Sequence, residues 1–438
     1  MTGHHAPYAW LPDGVHADVR LEVVDGTFTA ITTGTAPQPG DERLDGLVLP
    51  GLANGHSHAF HRALRGRTHG GGTFWTWREQ MYAVATRLDP DTYRALALAV
   101  FAEMALAGYT CVGEFHYLHH DPQGRPYADP NAMGAALVDA AEQAGLRLTL
   151  LDTLYLAGGL TAAGHQPLDE VQRRFSDGDV EAWHARVDRL RPTATARIGA
   201  AAHSVRAVPA DALSALAGAA GTRPVHVHLS EQPAENAAVR AVHGCTPTRL
   251  LADAGLLGPR TTAVHATHLT DADVALLGTT GTAACFCPTT ERDLADGIGP
   301  ARRLHEAGSP LTLGSDSQAV VDPFEELCGL EAHERLASGE RGRFSPAELV
   351  TAASAAGYAS LGWDGGRLAV GAPADLVVVR TDSVRTTGAR PDQVPYAATA
   401  ADVDRVLVGG RTVVRDGHHV LGDPARLLRE ALDRLEEA

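Results

Sequence analysis

Between residues 47 and 315, short apolar runs alternate with longer Ala-rich stretches. The runs cover 47–52, 110–115, 146–154, 196–202, 224–229, 262–266, 282–287 and 311–315. Each has the length and composition of a strand buried on both faces. The stretches between them, such as 91–107, 133–144 and 209–219, are long enough for helices. Strands that alternate with helices form a parallel sheet. Eight such units over about 310 residues predict a (β/α)8 TIM-like barrel, whose active sites lie at the C-terminal ends of the strands.

The two ends of the chain have a different pattern. Residues 19–24 and 28–31 read as strands joined by Asp25-Gly26, a hairpin signal. Near the other end, 374–379 and 403–408 are strand-like, and Gly409-Gly410 leads into 412–414. A small β-sandwich formed by both chain termini accounts for this. The expected division is 1–50 for the first part of the sandwich, 51–365 for the barrel, and 366–438 for the rest of the sandwich and a terminal helix. Asp423 is the expected N-cap of that helix and Pro424 its first residue. No internal repeat or low-complexity linker interrupts the pattern.

Composition narrows the chemistry. With 438 residues, 44% of them apolar, the chain can bury a large core and more than one domain. No apolar run approaches the roughly 18 residues of a membrane span, and residues 1–12 lack the pattern of a secretion signal. A cytoplasmic protein is expected. The five cysteines have no CxxC spacing, which argues against a disulfide framework or a cysteine zinc site. A net charge of −16 argues against nucleic acid and anionic membranes as partners. An anionic substrate would need a local arginine cluster. All 37 basic residues are arginine, so Schiff-base chemistry, a P-loop lysine and a carbamylated lysine bridging two metals are excluded. A metal site in this chain is expected to be mononuclear.

Histidines and acids collect at the predicted strand ends. His56 and His58 follow the first run, and residues at i and i+2 of a strand share a face. His203 ends the fourth run, with Arg206 three residues on; His226 and His228 lie in the fifth, followed by Ser230-Glu231. His265 ends the sixth run and Asp316 the eighth. In a barrel these positions converge on one mouth. Three neutral imidazoles and a carboxylate suit Zn²⁺ or another first-row dication. Such an ion acidifies water towards neutrality, and a carboxylate or imidazole beside it can move protons. His226 lies deeper in its strand and is expected to pack in the core. His268 is expected in a loop, and His4, His5, His119, His120 and His305 at the surface.

These residues resemble the amidohydrolase superfamily: the HxH of the first strand, the histidines of strands five and six, the aspartate of strand eight, and a sandwich of both termini. The segment Gly366-Arg367-Leu368-Ala369-Val370-Gly371-Ala372-Pro373-Ala374-Asp375-Leu376 is similar to the superfamily's usual return into that sandwich. Within it the chain looks like the N-formimidoyl-L-glutamate deiminases. The carrying segments include Asn54-Gly55-His56-Ser57-His58-Ala59-Phe60, Phe74-Trp75-Thr76-Trp77-Arg78-Glu79, Glu114-Phe115-His116-Tyr117-Leu118-His119-His120 and His203-Ser204-Val205-Arg206-Ala207. The resemblance implies His56, His58, His228 and Asp316 as ligands of one divalent metal, with zinc the first expectation. It places His265, Glu231 and Asp316 at the reacting water, and Arg78, Tyr117, His203 and Arg206 on the substrate. Two positions depart from the family pattern: His61 stands where Gln is usual, and Gln318 where His is usual. Both are expected at the substrate site, where they would exchange one donor–acceptor set.

The implied reaction is hydrolysis of N-formimidoyl-L-glutamate, a small dicarboxylate, to N-formyl-L-glutamate and ammonia in histidine degradation. The alternative is an amidohydrolase-type deaminase of a purine, pterin or triazine ring. The expected assembly is a homodimer.

Overall fold

The computed structural model describes residues 2–68 and 70–437. Eight parallel strands form a barrel in chain order: Leu52–Ser57, Tyr109–His116, Arg147–Leu154, Ala196–Ser204, Val225–Leu229, Thr261–His265, Ala283–Phe286 and Leu311–Leu313. Strands one to eight are each hydrogen-bonded to the next. Closure comes from a parallel bridge between Ser57 and Asp316. Its two hydrogen bonds run from His58 N to Asp316 O at 3.1 Å and from Asp316 N to His56 O at 3.0 Å. Gly314 permits this approach, because a Cβ there would lie 2.7 Å from the backbone oxygen of His56.

The apolar run at 47–52 is two elements rather than one barrel strand. Leu47–Pro50 belongs to the terminal sheet, and Leu52–Ser57 begins the barrel. The chain turns from one to the other at Gly51, whose amide donates to Asp375 O at 2.9 Å. A side chain at 51 would collide with Thr110, Asp375 and Tyr358. Apolar patterning cannot locate this break, since both halves are fully buried.

Both termini build one nine-stranded mixed sheet. Leu47–Pro50 is its seam, parallel to Thr2–Leu11 and antiparallel to Leu376–Val379. Asp25-Gly26 and Gly409-Gly410 make the tight turns, each with positive φ at both residues. The sheet curls until Phe28 pairs with Gly371 and Ala372. Alternate residues therefore enter different cores. Val48, Leu376, Val378 and Leu407 fill the inside of the curl. Leu47, Leu49, Val377, Val379, Val406 and Val408 face the barrel and join the main core. The helix Pro424–Glu437 packs on the helix Pro90–Ala107. Among the described residues no helix is long and apolar enough to cross a membrane.

One buried ion pair ties the barrel to this sheet. The Asp375 carboxylate accepts from Arg147 Nε at 2.6 Å and Nη2 at 3.1 Å, from Tyr358 OH at 2.8 Å and from Gly409 N at 2.6 Å. Arg147 opens the third barrel strand. Removing one partner of a buried pair typically costs about 3–5 kcal/mol, whereas an apolar replacement of both is often nearly neutral. Asp375→Asn should therefore lower the urea midpoint markedly, and Arg147→Met with Asp375→Leu should restore most of it. A single variant as stable as the parent would show that the pair does not tie the two parts together.

Candidate active site

The histidines and acids at the strand ends meet at the closing seam. In the first strand His56 and His58 face inward. Ser57 faces outward, its Oγ donating to Glu114 at 2.7 Å. His228 Nε2 lies 3.1 Å from His56 Nε2 and 3.4 Å from His58 Nε2. Asp316 Oδ1 lies 3.4 Å from His56 Nε2 and 3.6 Å from His58 Nε2. Backbone strain gathers here. Ser230, His265, Ala266, Asp316 and Gln318 all have positive φ without being glycine. Such conformations persist where the surroundings over-determine them, and they cluster at functional sites.

The ring tautomers are set from behind. His58 Nδ1 donates to Phe115 O at 2.9 Å, and His228 Nδ1 donates to His203 O at 2.8 Å. Their Nε2 atoms therefore carry lone pairs into the cluster. Burial, reinforced by neighbouring histidines, holds His56, His58 and His228 well below the ordinary imidazole value. Three neutral nitrogens and a carboxylate aimed at one point are what a first-row dication requires.

Behind these groups lies a supporting layer. Glu114 accepts from Ala59 N at 2.7 Å as well as from Ser57, and burial, against these two bonds, pushes its carboxyl up to about 8. Gln318 donates to Ser57 Oγ at 2.9 Å and to Asp316 O at 3.0 Å, and accepts from Ser315 Oγ at 2.8 Å.

His265 and Glu231 stand beside the cluster. His265 Nε2 is 3.8 Å from Glu231 Oε1 and 3.8 Å from Asp316 Oδ2, while its Nδ1 is 3.4 Å from Glu291. Burial opposes charge on His265, but Glu231, Glu291 and Asp316 outweigh it and hold the imidazole well above its ordinary value. Burial also raises Glu231. An imidazole and a carboxyl shifted upward side by side are the kind of pair an acid–base centre uses.

A cavity opens onto these groups. His61, Arg78, Tyr117, His203 and Arg206 line it, together with Trp77, Met81, Tyr82, Tyr155 and Phe175. Arg78 lies over the rings of Trp75 and Tyr82, at 4.7 and 5.5 Å from their centroids. Arg206 Nε donates to Glu235 at 2.7 Å, and its Nη2 is 3.5 Å from Glu231. Burial first, then the positive charges of Arg206 and Arg78, lower His203. Both guanidiniums thus act on one end of the cavity.

Gln318 does not line the cavity: it is fully buried behind Asp316. His61 bonds Tyr117 OH at 3.0 Å, so the two residues that depart from the family pattern share no hydrogen-bond partner. The expected shared donor–acceptor set is absent, because His61 lines the cavity and Gln318 belongs to the supporting layer.

Four histidines expected at the surface are buried. His5 bonds Thr35 O at 2.8 Å and His119 bonds Thr153 O at 2.9 Å. His4 lies 3.4 Å from Glu42, and His120 lies 3.3 Å from Asp177. His226 packs in the core as expected, bonded to Ser360 O at 3.1 Å. His116, His119 and Asp152 form a second compact donor group. There, however, Arg186 takes both Asp152 oxygens at 2.8 Å and Trp183 takes one at 3.0 Å. An ion pair already satisfies that carboxylate.

The family models match this architecture. Residues 47–413 match the amidohydrolase family, and residues 1–45 match the N-terminal domain of formimidoylglutamate deiminase HutF. The chain belongs to the amidohydrolase family. It is 40% identical to a formimidoylglutamate deiminase of Pseudomonas aeruginosa, over 96% of each chain. An amidohydrolase crystal structure from Brucella melitensis superposes with a TM-score of 0.92 at 35% identity, covering both chains completely. An adenosine deaminase from Xanthomonas campestris with bound zinc shares the fold, with a TM-score of 0.84 at 24% identity over 100% of this chain and 99% of that one.

Strand-end placement alone would have flagged Tyr155, which directly follows the third strand. Trp77 with Met81, and Arg78 with Tyr82, are i,i+4 pairs of the helix Phe74–Ala85. Glu235 and Glu291 sit on helices, and nothing local in the sequence marks them.

Gln318→Leu removes the amide that supports Ser57 and Asp316. Loss of such outer contacts typically costs 10–100-fold in metal affinity, and chelator competition should read a loss of about that size. Unchanged affinity would mean that the amide does not brace the ligands.

Proposed function

We propose that this chain is a metal-dependent formimidoylglutamate deiminase that converts N-formimidoyl-L-glutamate and water to N-formyl-L-glutamate and ammonia. The observation that carries this reading is the guanidinium pair Arg78 and Arg206 in a cavity that also contains the acid–base centre. In a protein of net charge −16, two arginines in one pocket match a substrate with two carboxylates.

His56, His58, His228 and Asp316 would hold one divalent metal, which we take to be zinc. When bound, the metal supplies positive charge and a water acidified towards neutrality. The remaining work falls to the chain. Asp316 accepts the proton of the water that adds to the formimidoyl carbon, and His265, itself charged, hands its own proton on as it takes that one up. His265 Nε2 reaches both Asp316 and Glu231 at 3.8 Å, so the proton can pass between the two carboxylates. Glu231 returns it to the departing nitrogen, and the C–N bond breaks to release ammonia. Tyr117 and His203 orient the substrate chain. We place the enzyme in the cytoplasm and expect a homodimer, which light scattering tests.

A second reading, deamination of a purine, pterin or triazine ring, rests on the aromatic lining of Trp77, Tyr82, Tyr117, Tyr155 and Phe175. A neutral ring would leave Arg78 unmatched, since among the described residues no carboxylate pairs with it. An ammonia-release screen of formimidoyl-amino acids against guanine, pterin and triazine rings separates the two. Formimidoyl-glutamate should be the best substrate, and turnover of a ring in its place would sink the proposal.

Metal analysis of active protein should return one equivalent per chain. Chelation should abolish ammonia release, and zinc should restore it. Two equivalents would place a second ion in the site.

Arg78→Met and Arg206→Met should each raise KM while leaving metal content intact. Truncating one partner of a buried charge pair costs about 2–5 kcal/mol, equivalent to roughly 30-fold or more. Normal KM in both variants would exclude the dicarboxylate assignment.

A further inference from the structure

Gln172 lies in a short 3₁₀ turn, Gln172–Phe175, and is almost fully buried. Its Oε1 accepts from the backbone amide of Asp169 at 2.9 Å, which fixes the orientation of the amide group. The NH₂ end therefore faces Gly158 O at 3.0 Å, Tyr82 OH at 3.0 Å and Tyr155 OH at 3.1 Å. An amide nitrogen donates and does not accept. Its two hydrogens are shared among these three acceptors, and neither tyrosine can give its hydroxyl hydrogen to Gln172. One hydrogen can be spent on the other hydroxyl, and at least one must point elsewhere. Both tyrosines line the cavity, and the charges of Arg206 and Arg78 both act on Tyr155. Arg78 also sits over the Tyr82 ring.

We infer that Gln172 is a positioning residue that turns the hydroxyls of Tyr82 and Tyr155 into a donor site for one carboxylate of the substrate, beside the guanidinium pair. The inference rests on the deiminase reading. It adds a neutral, directional contact to the two arginines. A guanidinium attracts any nearby anion, whereas a hydroxyl held by Gln172 donates along one direction only. This site would sort dicarboxylate substrates from monocarboxylates.

The test uses full-length, metal-loaded protein. Gln172→Glu replaces the donor by an acceptor and draws the hydroxyl hydrogens out of the cavity. Tyr82→Phe and Tyr155→Phe remove them one at a time and keep the test valid if Gln172→Glu does not fold. Ammonia release is measured on N-formimidoyl-L-glutamate and on two truncated substrates. N-formimidoyl-4-aminobutyrate lacks the α-carboxylate, and N-formimidoyl-L-norvaline lacks the side-chain carboxylate. With the full substrate, Gln172→Glu and at least one tyrosine variant should raise KM roughly tenfold or more, the range of a hydrogen bond to a charged group. Turnover number should change by less than about threefold, as for lost uniform binding. The penalty should vanish on the truncated substrate that lacks the carboxylate seated at the tyrosines. Unchanged KM in all three variants, or an equal penalty on both truncated substrates, would overturn the inference. If wild-type protein released no ammonia from formimidoyl-glutamate, the deiminase reading would fail instead. Calorimetric binding of glutarate would then decide the carboxylate site alone: weaker binding in the variants supports it, and unchanged binding overturns it.

Discussion

The molecule depends on one pair of backbone hydrogen bonds. His58 N to Asp316 O and Asp316 N to His56 O join the eighth barrel strand to the first. A parallel barrel needs this contact to leave no open edge. The same contact sets three of the four candidate metal-holding side chains side by side. Closing the barrel and building the site are thus one event. A small residue makes it possible: Gly314 admits backbone where a side chain would collide. The positive φ of Asp316 and Gln318 adds to the local strain.

Around that seam the protein manages buried charge in three ways. At His58 and His228, burial keeps the imidazoles neutral and carbonyl partners fix their tautomers. At His265 the carboxylates of Glu231, Glu291 and Asp316 overcome burial and retain a proton. At the far end of the chain's core, Asp375 is satisfied by four donors and ties barrel to sheet. Carboxylates in low dielectric either find such partners or take up a proton. Glu114, with only two donors, is pushed towards neutrality.

The cavity shows how an acidic protein can receive an anion. Net charge describes the whole surface, whereas binding depends on the local field. Arg78 and Arg206 supply that field, and aromatic faces and buried carboxylates hold them in place. The lining tyrosines add direction without adding charge.

Much of this was legible in the residues alone, because periodicity and strand-end chemistry are local. Eight apolar runs and Ala-rich connections marked a parallel barrel, and the candidate ligand histidines stood where such barrels place their chemistry. Asp25-Gly26 and Gly409-Gly410 announced their turns, since few residue pairs accept positive φ twice. Tertiary structure decided the rest. Whether 47–52 was one strand or two depended on Asp375, more than three hundred residues away. His4, His5, His119 and His120 were buried by partners that no local pattern reveals. Gln318 and His61 looked alike as departures near the candidate ligands, yet one bonds Asp316 from behind and the other lines the cavity. Gln172 carries no motif at all. Its role follows from two tyrosines on separate elements meeting one amide, and sequence separation conceals such a meeting until the chain has folded.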